Sequence, residues 1–157
     1  MKITKLGHSC LLVEENSARI LIDPGVWSSG TAELNNIDAV FITHEHLDHC
    51  HPETLKFLLQ NNSGLIIYTN KGAGAKLDEP QIPYTLFEGG SKVEINGVEV
   101  EGFGKDHAII YHTLPHFDNT GLFVDGRLFH PGDAVNIFPP KQVEILALPI
   151  IAPWARL

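Results

Sequence analysis

Asp38-Ala39-Val40-Phe41-Ile42-Thr43-His44-Glu45-His46-Leu47-Asp48-His49 is the stretch from which the rest of the chain can be read. Its first half, Asp38–Thr43, is nearly all apolar, the pattern of a strand buried on both faces of a sheet. Its second half is polar and rich in metal-ligating side chains. His44 and His46 stand two apart, so extended backbone turns both imidazoles to one side. Asp48 continues that alternation, and His49 follows where the chain bends away. Four ligand-type side chains between positions 44 and 49 crowd a single ion and suit two. Neutral imidazole with carboxylate fits Zn²⁺, and also Mn or Fe.

Outward from this loop the chain alternates between strands and helices. Pro52 suits the first helical position, and Leu55, Leu58 and Leu59 share a face, so a helix should run from Pro52 to near Asn61-Asn62-Ser63-Gly64. His51 is read as its N-terminal residue. Upstream, Lys2–Leu6, Cys10–Glu14 and Arg19–Asp23 are short β-prone runs split by Gly7-His8-Ser9 and Glu15-Asn16-Ser17. Downstream, Leu65–Thr69 is a strand and Lys71–Leu77 a helical turn. Asn96-Gly97 divides Lys92–Phe103 into a hairpin, and Asp125-Gly126 pairs Gly121–Val124 with Leu128–His130 in the same way. The expected class is α/β, with sheet layers and helices outside. No G-x-G-x-x-G follows a strand and there is no Walker loop, so a Rossmann or P-loop unit is excluded.

Glu144–Leu148 reads as a buried strand, and Pro149–Trp154 stays apolar close to the final residue. Such a segment needs cover. The expectation is a C-terminal continuation, with a second copy of the chain (a homo-oligomer) as the alternative cover.

Composition narrows the function classes. The 157 residues suit one domain, 1–157, with 43% hydrophobic and 19% charged residues. A net charge of −8 lacks the basic footprint of a nucleic-acid binder or of a partner for anionic membranes. The two cysteines, Cys10 and Cys50, make no disulfide framework, read as packing residues and fit a reducing, cytoplasmic setting. Nine histidines almost match the eleven Lys and Arg together, an excess that a metal site explains. Two more segments can supply ligands. Lys105-Asp106-His107 follows a strand, and Phe129-His130-Pro131-Gly132-Asp133 carries an Asp just past one.

The H-x-H-x-D-H run at 44–49 resembles that of the metallo-β-lactamase superfamily. Leu6-Gly7-His8-Ser9, Ile22-Asp23-Pro24, Asp106-His107 and His130-Pro131-Gly132-Asp133 stand in the order of that family's other motifs. The likeness is greatest to small bacterial metal-dependent hydrolases of the L-ascorbate-6-phosphate lactonase type, and it covers nearly the whole chain. It implies a four-layer αββα sandwich whose C-terminal part is missing here, with two divalent metal ions at one edge. It makes His44, His46 and His107 ligands of one ion. It makes Asp48, His49 and Asp133 ligands of the other, with Asp133 bridging and Asp48 also the candidate catalytic residue. The family's further His ligand lies beyond residue 157, which should weaken the second site. His8 and Asp23 resemble the family's supporting residues. His130 is read as another supporting residue, and His112, His116, Trp27 and Trp154 as residues that could rim the pocket.

The implied chemistry is hydrolysis of a small-molecule ester, lactone or phosphoester. A His₃ ion with an open position lowers the pKa of its water to about 7, so no separate nucleophile is needed. None is offered by a G-x-S-x-G motif. The alternative is a metal-binding domain without activity, completed by self-association. The flavodiiron branch carries Glu where this chain has His46. The glyoxalase branch has a Gly pair where this chain has Cys50-His51-Pro52.

Overall fold

The computed structural model describes residues 1–111, 116–150 and 152. Six strands form the first sheet in sequence order: β1 (Lys2–Lys5), β2 (Leu11–Glu15), β3 (Ala18–Ile22), β4 (Ala39–Ile42), β5 (Ile66–Thr69) and β6 (Thr85–Leu86). β1, β2 and β3 pair antiparallel, and β3 through β6 pair parallel. The change to parallel pairing falls where connections become long enough to cross over. The β3–β4 connection carries a short 3-10 turn, Thr31–Glu33, the β4–β5 crossover contains helix α1 (Pro52–Asn61), and the β5–β6 crossover contains helix α2 (Lys71–Asp78). Pro52 stands in the first turn of α1, as its fixed φ and missing N–H favour.

The second sheet is built from hairpins. β7 (Lys92–Ile95), β8 (Val98–Phe103), β9 (Gly121–Val124) and β10 (Leu128–His130) pair antiparallel in that order, and β11 (Ile145–Leu146) adds parallel to β10. Both hairpin turns need φ > 0 at two central residues. Asn96-Gly97 supplies 47° and 83°, and Asp125-Gly126 supplies 54° and 62°.

Strand periodicity then sorts the side chains into two cores. Ile20, Ile22, Ala39 and Phe41 face the second sheet and meet Val98, Val100, Leu122, Val124 and Leu128. Phe41 stacks on Tyr68 at 4.8 Å and meets Phe87 edge-on at 5.1 Å. Leu21, Val40, Ile42 and Ile67 face the other way and pack on Leu55 and Leu58 of α1 and on Ala73 and Leu77 of α2. Each fully buried Leu contributes about 1.5–3 kcal/mol of apolar burial. β4 contributes to both cores and is buried at every position, as its unbroken apolar run implies.

The described residues thus make three layers, helices on sheet on sheet. On the outer face of the second sheet, where the resemblance implies a helical layer, Phe103, Phe123 and Phe129 pack on one another and Lys141 Nζ lies 5.8 Å over the Phe123 ring. The expected buried strand Glu144–Leu148 differs in the structure. Only Ile145–Leu146 pairs, and the segment alternates between half-buried and exposed because β11 has a single strand neighbour among the described residues. β6 was not legible, being two exposed residues held by pairing with β5. No helix among the described residues is long and apolar enough to cross a membrane. His112 and Trp154 lie outside the described residues.

Candidate metal centre

The candidate ligands gather where strands of both sheets end. β4 ends at Ile42 and releases Thr43–His49; β3 ends at Ile22 and releases Asp23. From the second sheet, β8 leads to His107 and β10 to Asp133. The loop after β3 braces the metal loop. Val26 donates its N–H to the Leu47 carbonyl at 2.9 Å. Gly25 lies so close that an added Cβ would overlap the Asp48 carbonyl.

Two groups of donor atoms form. His44, His46, His107 and Asp133 each offer one within 4.8 Å of the others, and so do His8, Asp48 and His49. Asp133 faces both groups. Its Oδ2 lies 3.5 Å from His107 Nε2 and 3.9 Å from His44 Nε2, while its Oδ1 lies 3.5 Å from His49 Nε2.

Backbone and buried polar groups fix how the rings point. Asp23 is fully buried at the end of β3, with φ 48°. Its Oδ1 accepts from the Thr43 N–H at 2.8 Å, and its Oδ2 accepts from Thr43 Oγ1 and His49 Nδ1, both at 2.8 Å. Thr43 Oγ1, having given its proton to Asp23, faces His44 Nδ1 at 3.0 Å as an acceptor. The Ala108 carbonyl accepts from His107 Nδ1 at 2.6 Å. His44, His49 and His107 therefore hold the proton on Nδ1 and turn the Nε2 lone pair toward the centre, the tautomer that a metal ligand requires. His44 Nε2 is buried without a hydrogen-bond partner, a costly arrangement that a cation would relieve. The residues fit a metal.

The electrostatics agree with that reading. Burial foremost holds the His44 imidazole well below its usual range, with His49 and His107 adding to the push. Burial, then His107, also lowers His46. Burial acts to lower His49, but Asp23, Asp133 and Asp48 outweigh it and raise that imidazole. Burial acts to raise Asp133, and the His107 hydrogen bond with the His49 charge outweighs it, so the carboxyl sits below its usual range.

The supporting shell contains residues that sequence reasoning missed. Buried Asn119 accepts from the Asp133 N–H at 3.0 Å and donates to the Pro131 carbonyl at 2.9 Å, which fixes the Asp133 turn. Gly132 has φ 62°, and an added Cβ would overlap Asn119 Oδ1 and stand 2.8 Å from Thr43 Cβ. Asn70, capping α2, donates to the Thr43 carbonyl at 2.8 Å. Polar residues flanking a strand or helix carry no signal of such tertiary roles.

The other expected residues fall as follows. His130 is buried, with Nε2 3.2 Å from the Ser9 carbonyl and Nδ1 accepting from the Gly132 N–H at 3.1 Å, so it braces both sides of the centre. His51 stands before α1 and meets Thr54 Oγ1 at 2.9 Å, outside both groups. Cys10 and Cys50 are buried in the helix-side core, where burial pushes both thiols up to about 12. His116 is exposed and, with His107, Ile109 and Val135, lines an open cleft of about 570 Å³. Trp27 is exposed and meets the His8 ring edge-on at 5.0 Å. His8, expected only in support, stands inside the second group of donors.

The Beta-lactamase superfamily domain family matches residues 2–155. The chain belongs to that superfamily. A relative, the Mycobacterium tuberculosis protein Rv0786c, is 35% identical over 162 residues, covering 100% of this chain and 74% of that protein. A UPF0173 metal-dependent hydrolase of Geobacillus thermodenitrificans is 26% identical over 162 residues, covering 87% of this chain and 71% of the relative. Igni18, a metallo hydrolase from Ignicoccus hospitalis, shares the fold with a TM-score of 0.61 and 24% identity, covering 83% of this chain and 59% of the solved one. The chain thus spans less than two thirds of that solved structure's length. It is a superfamily member whose relatives include proteins named metal-dependent hydrolases, with His and Asp groups suited to binding metal.

Proposed function

We propose that the protein hydrolyses a small ester, lactone or phosphoester, substrates of the L-ascorbate-6-phosphate lactonase type included, with two divalent cations, Zn or else Mn or Fe, at the strand-end centre. The supporting observation is Asp133, whose two oxygens face different donor groups. In this reading His44, His46 and His107 hold one cation, and Asp48 and His49 hold the other, with Asp133 shared.

When bound, such cations supply Lewis acidity and acidify water to a pKa of about 7. The chain's own residues do the rest. Asp23 and the Ala108 carbonyl keep the protons of His49 and His107 on Nδ1. Asp133, held below its usual range, stays ionised and keeps both oxygens available. Asp48, only partly buried, is the carboxylate through which a proton passes to or from the reacting group. The cleft beside His107 gives a small substrate its place, within the volume range of ligand sites.

Metal analysis of protein purified without chelator tests this, together with turnover of aryl esters and phosphodiesters. One to two equivalents of metal per chain are expected, roughly, with turnover lost in His46→Ala. A folded protein that takes up no metal would overturn it.

A further inference from the structure

We infer that His8 is a protein ligand of the second cation, which it would hold together with Asp48 and His49; this rests on the two-cation reading above. His8 lies in the turn Gly7-His8-Ser9 between β1 and β2, far from the metal loop in sequence. Its φ is 38°, a left-handed conformation uncommon for residues with a Cβ though less so for His, and Gly7 before it stands at 100°. Several contacts hold the turn in that shape. The Lys5 ammonium donates to the His8 carbonyl. Ser29 donates its N–H to the Leu6 carbonyl at 2.8 Å, and Cys10 donates to the Gly7 carbonyl at 2.8 Å. The Trp27 ring backs the imidazole edge-on.

The strained turn aims the ring at the metal loop. His8 Nε2 lies 2.9 Å from Asp48 Oδ2, and the His8 and His49 rings are 5.2 Å apart at 84°. His49 Nε2 is 3.9 Å from the same Asp48 oxygen. Two donors about 2.1 Å from a tetrahedral ion stand roughly 3.4 Å apart. The separations of 2.9 and 3.9 Å bracket that value, and all three donor atoms lie within 4.8 Å of one another, so one ion could draw them together with small shifts. Asp133 Oδ1, 3.5 Å from His49 Nε2, is placed to serve as the fourth donor.

A bare His8–Asp48 ion pair is the competing account. Both side chains are partly exposed, at 32% and 26%, and pairs of that kind stabilise little. That leaves the left-handed His8 backbone without a return, whereas backbone strain of this sort recurs at ligand clamps.

The test is titration of the metal-free full chain with Zn²⁺, read by calorimetry and by the ¹⁵N shifts of the histidine rings. Two equivalents are expected, and the His8 Nε2 resonance should move with the second, not the first. In His8→Ala the first equivalent should bind as in the parent protein, and the second should weaken by at least about 10-fold. His8→Gln serves if the Ala variant does not fold, with the same loss expected. An unmoved His8 resonance, or a second equivalent of unchanged affinity in a folded variant, would reduce His8 to a hydrogen-bond partner of Asp48. A parent protein that binds one equivalent only would overturn the inference but leave the first site standing. A protein that binds none would instead overturn the hydrolase reading.

Discussion

Asp23 Oδ2 accepts the Nδ1 proton of His49 at 2.8 Å in a pair closed to solvent on both sides. The same carboxylate takes the Thr43 N–H and hydroxyl, and through that hydroxyl it reaches His44. One buried group therefore orients an imidazole in each donor group. Removing it leaves a buried His and a backbone N–H without their partner. Asp23→Ala should destabilise the metal-free protein by about 3–5 kcal/mol, the scale for breaking one side of a buried pair. Metal affinity should fall about 10–100-fold. Denaturant unfolding and metal titration check the two effects separately.

Gly132→Ala tests the turn that carries Asp133. A left-handed Ala costs about 1–2 kcal/mol. The new methyl would also press on Asn119 and Thr43. Asp133 should move off the line between the two donor groups. Metal stoichiometry by mass spectrometry should drop, and thermal unfolding should come earlier.

His130 makes stability depend on acidity. Burial foremost holds its imidazole below the usual range, against the opposing pull of Asp23 and the Ser9 carbonyl. The unfolded chain takes up that proton at about pH 6.5 and the folded chain does not. The unfolded state then binds more protons, so this residue's contribution is present above about pH 6.5 and is lost as pH falls below it. Unfolding of metal-free protein at several pH values should show a shallower acid-side decline in His130→Gln than in the parent.

Chelation should lower thermal stability. A ligand at 100 times its Kd stabilises the native state by about 2.7 kcal/mol. For a chain of this size each kcal/mol is worth about 2–4 °C. Adding chelator should therefore lower Tm by about 5–10 °C in a scanning experiment, and added Zn²⁺ should restore it. Leu58→Ala serves as the contrast. It should cost about 2–5 kcal/mol through a cavity under α1 while leaving metal stoichiometry unchanged.

Much of this architecture was written in local pattern. The hairpins followed from Asn96-Gly97 and Asp125-Gly126, since only certain residues tolerate two successive positive φ values. β4 followed from its apolar run, and the metal loop from the alternation of His44, His46 and Asp48. Asn119, Asn70 and Thr43 were illegible because their hydrogen bonds to Asp133, to the Thr43 carbonyl and to Asp23 join segments distant in sequence. His8 was legible only as a supporting residue, because the turn does not announce the left-handed backbone and the Asp48 contact that stand together in the structure. The exposure of β11 could not be read either, because hydropathy does not tell whether a second neighbour covers a strand.

The interlock of Gly25 with the Asp48 carbonyl reaches beyond packing. It backs the 44–49 loop, so the backbone of that loop is held by contacts within the chain itself. A loop held in this way would give up little freedom on taking up a cation. A glycine without any donor atom would thereby contribute to affinity by keeping the donors of others in place.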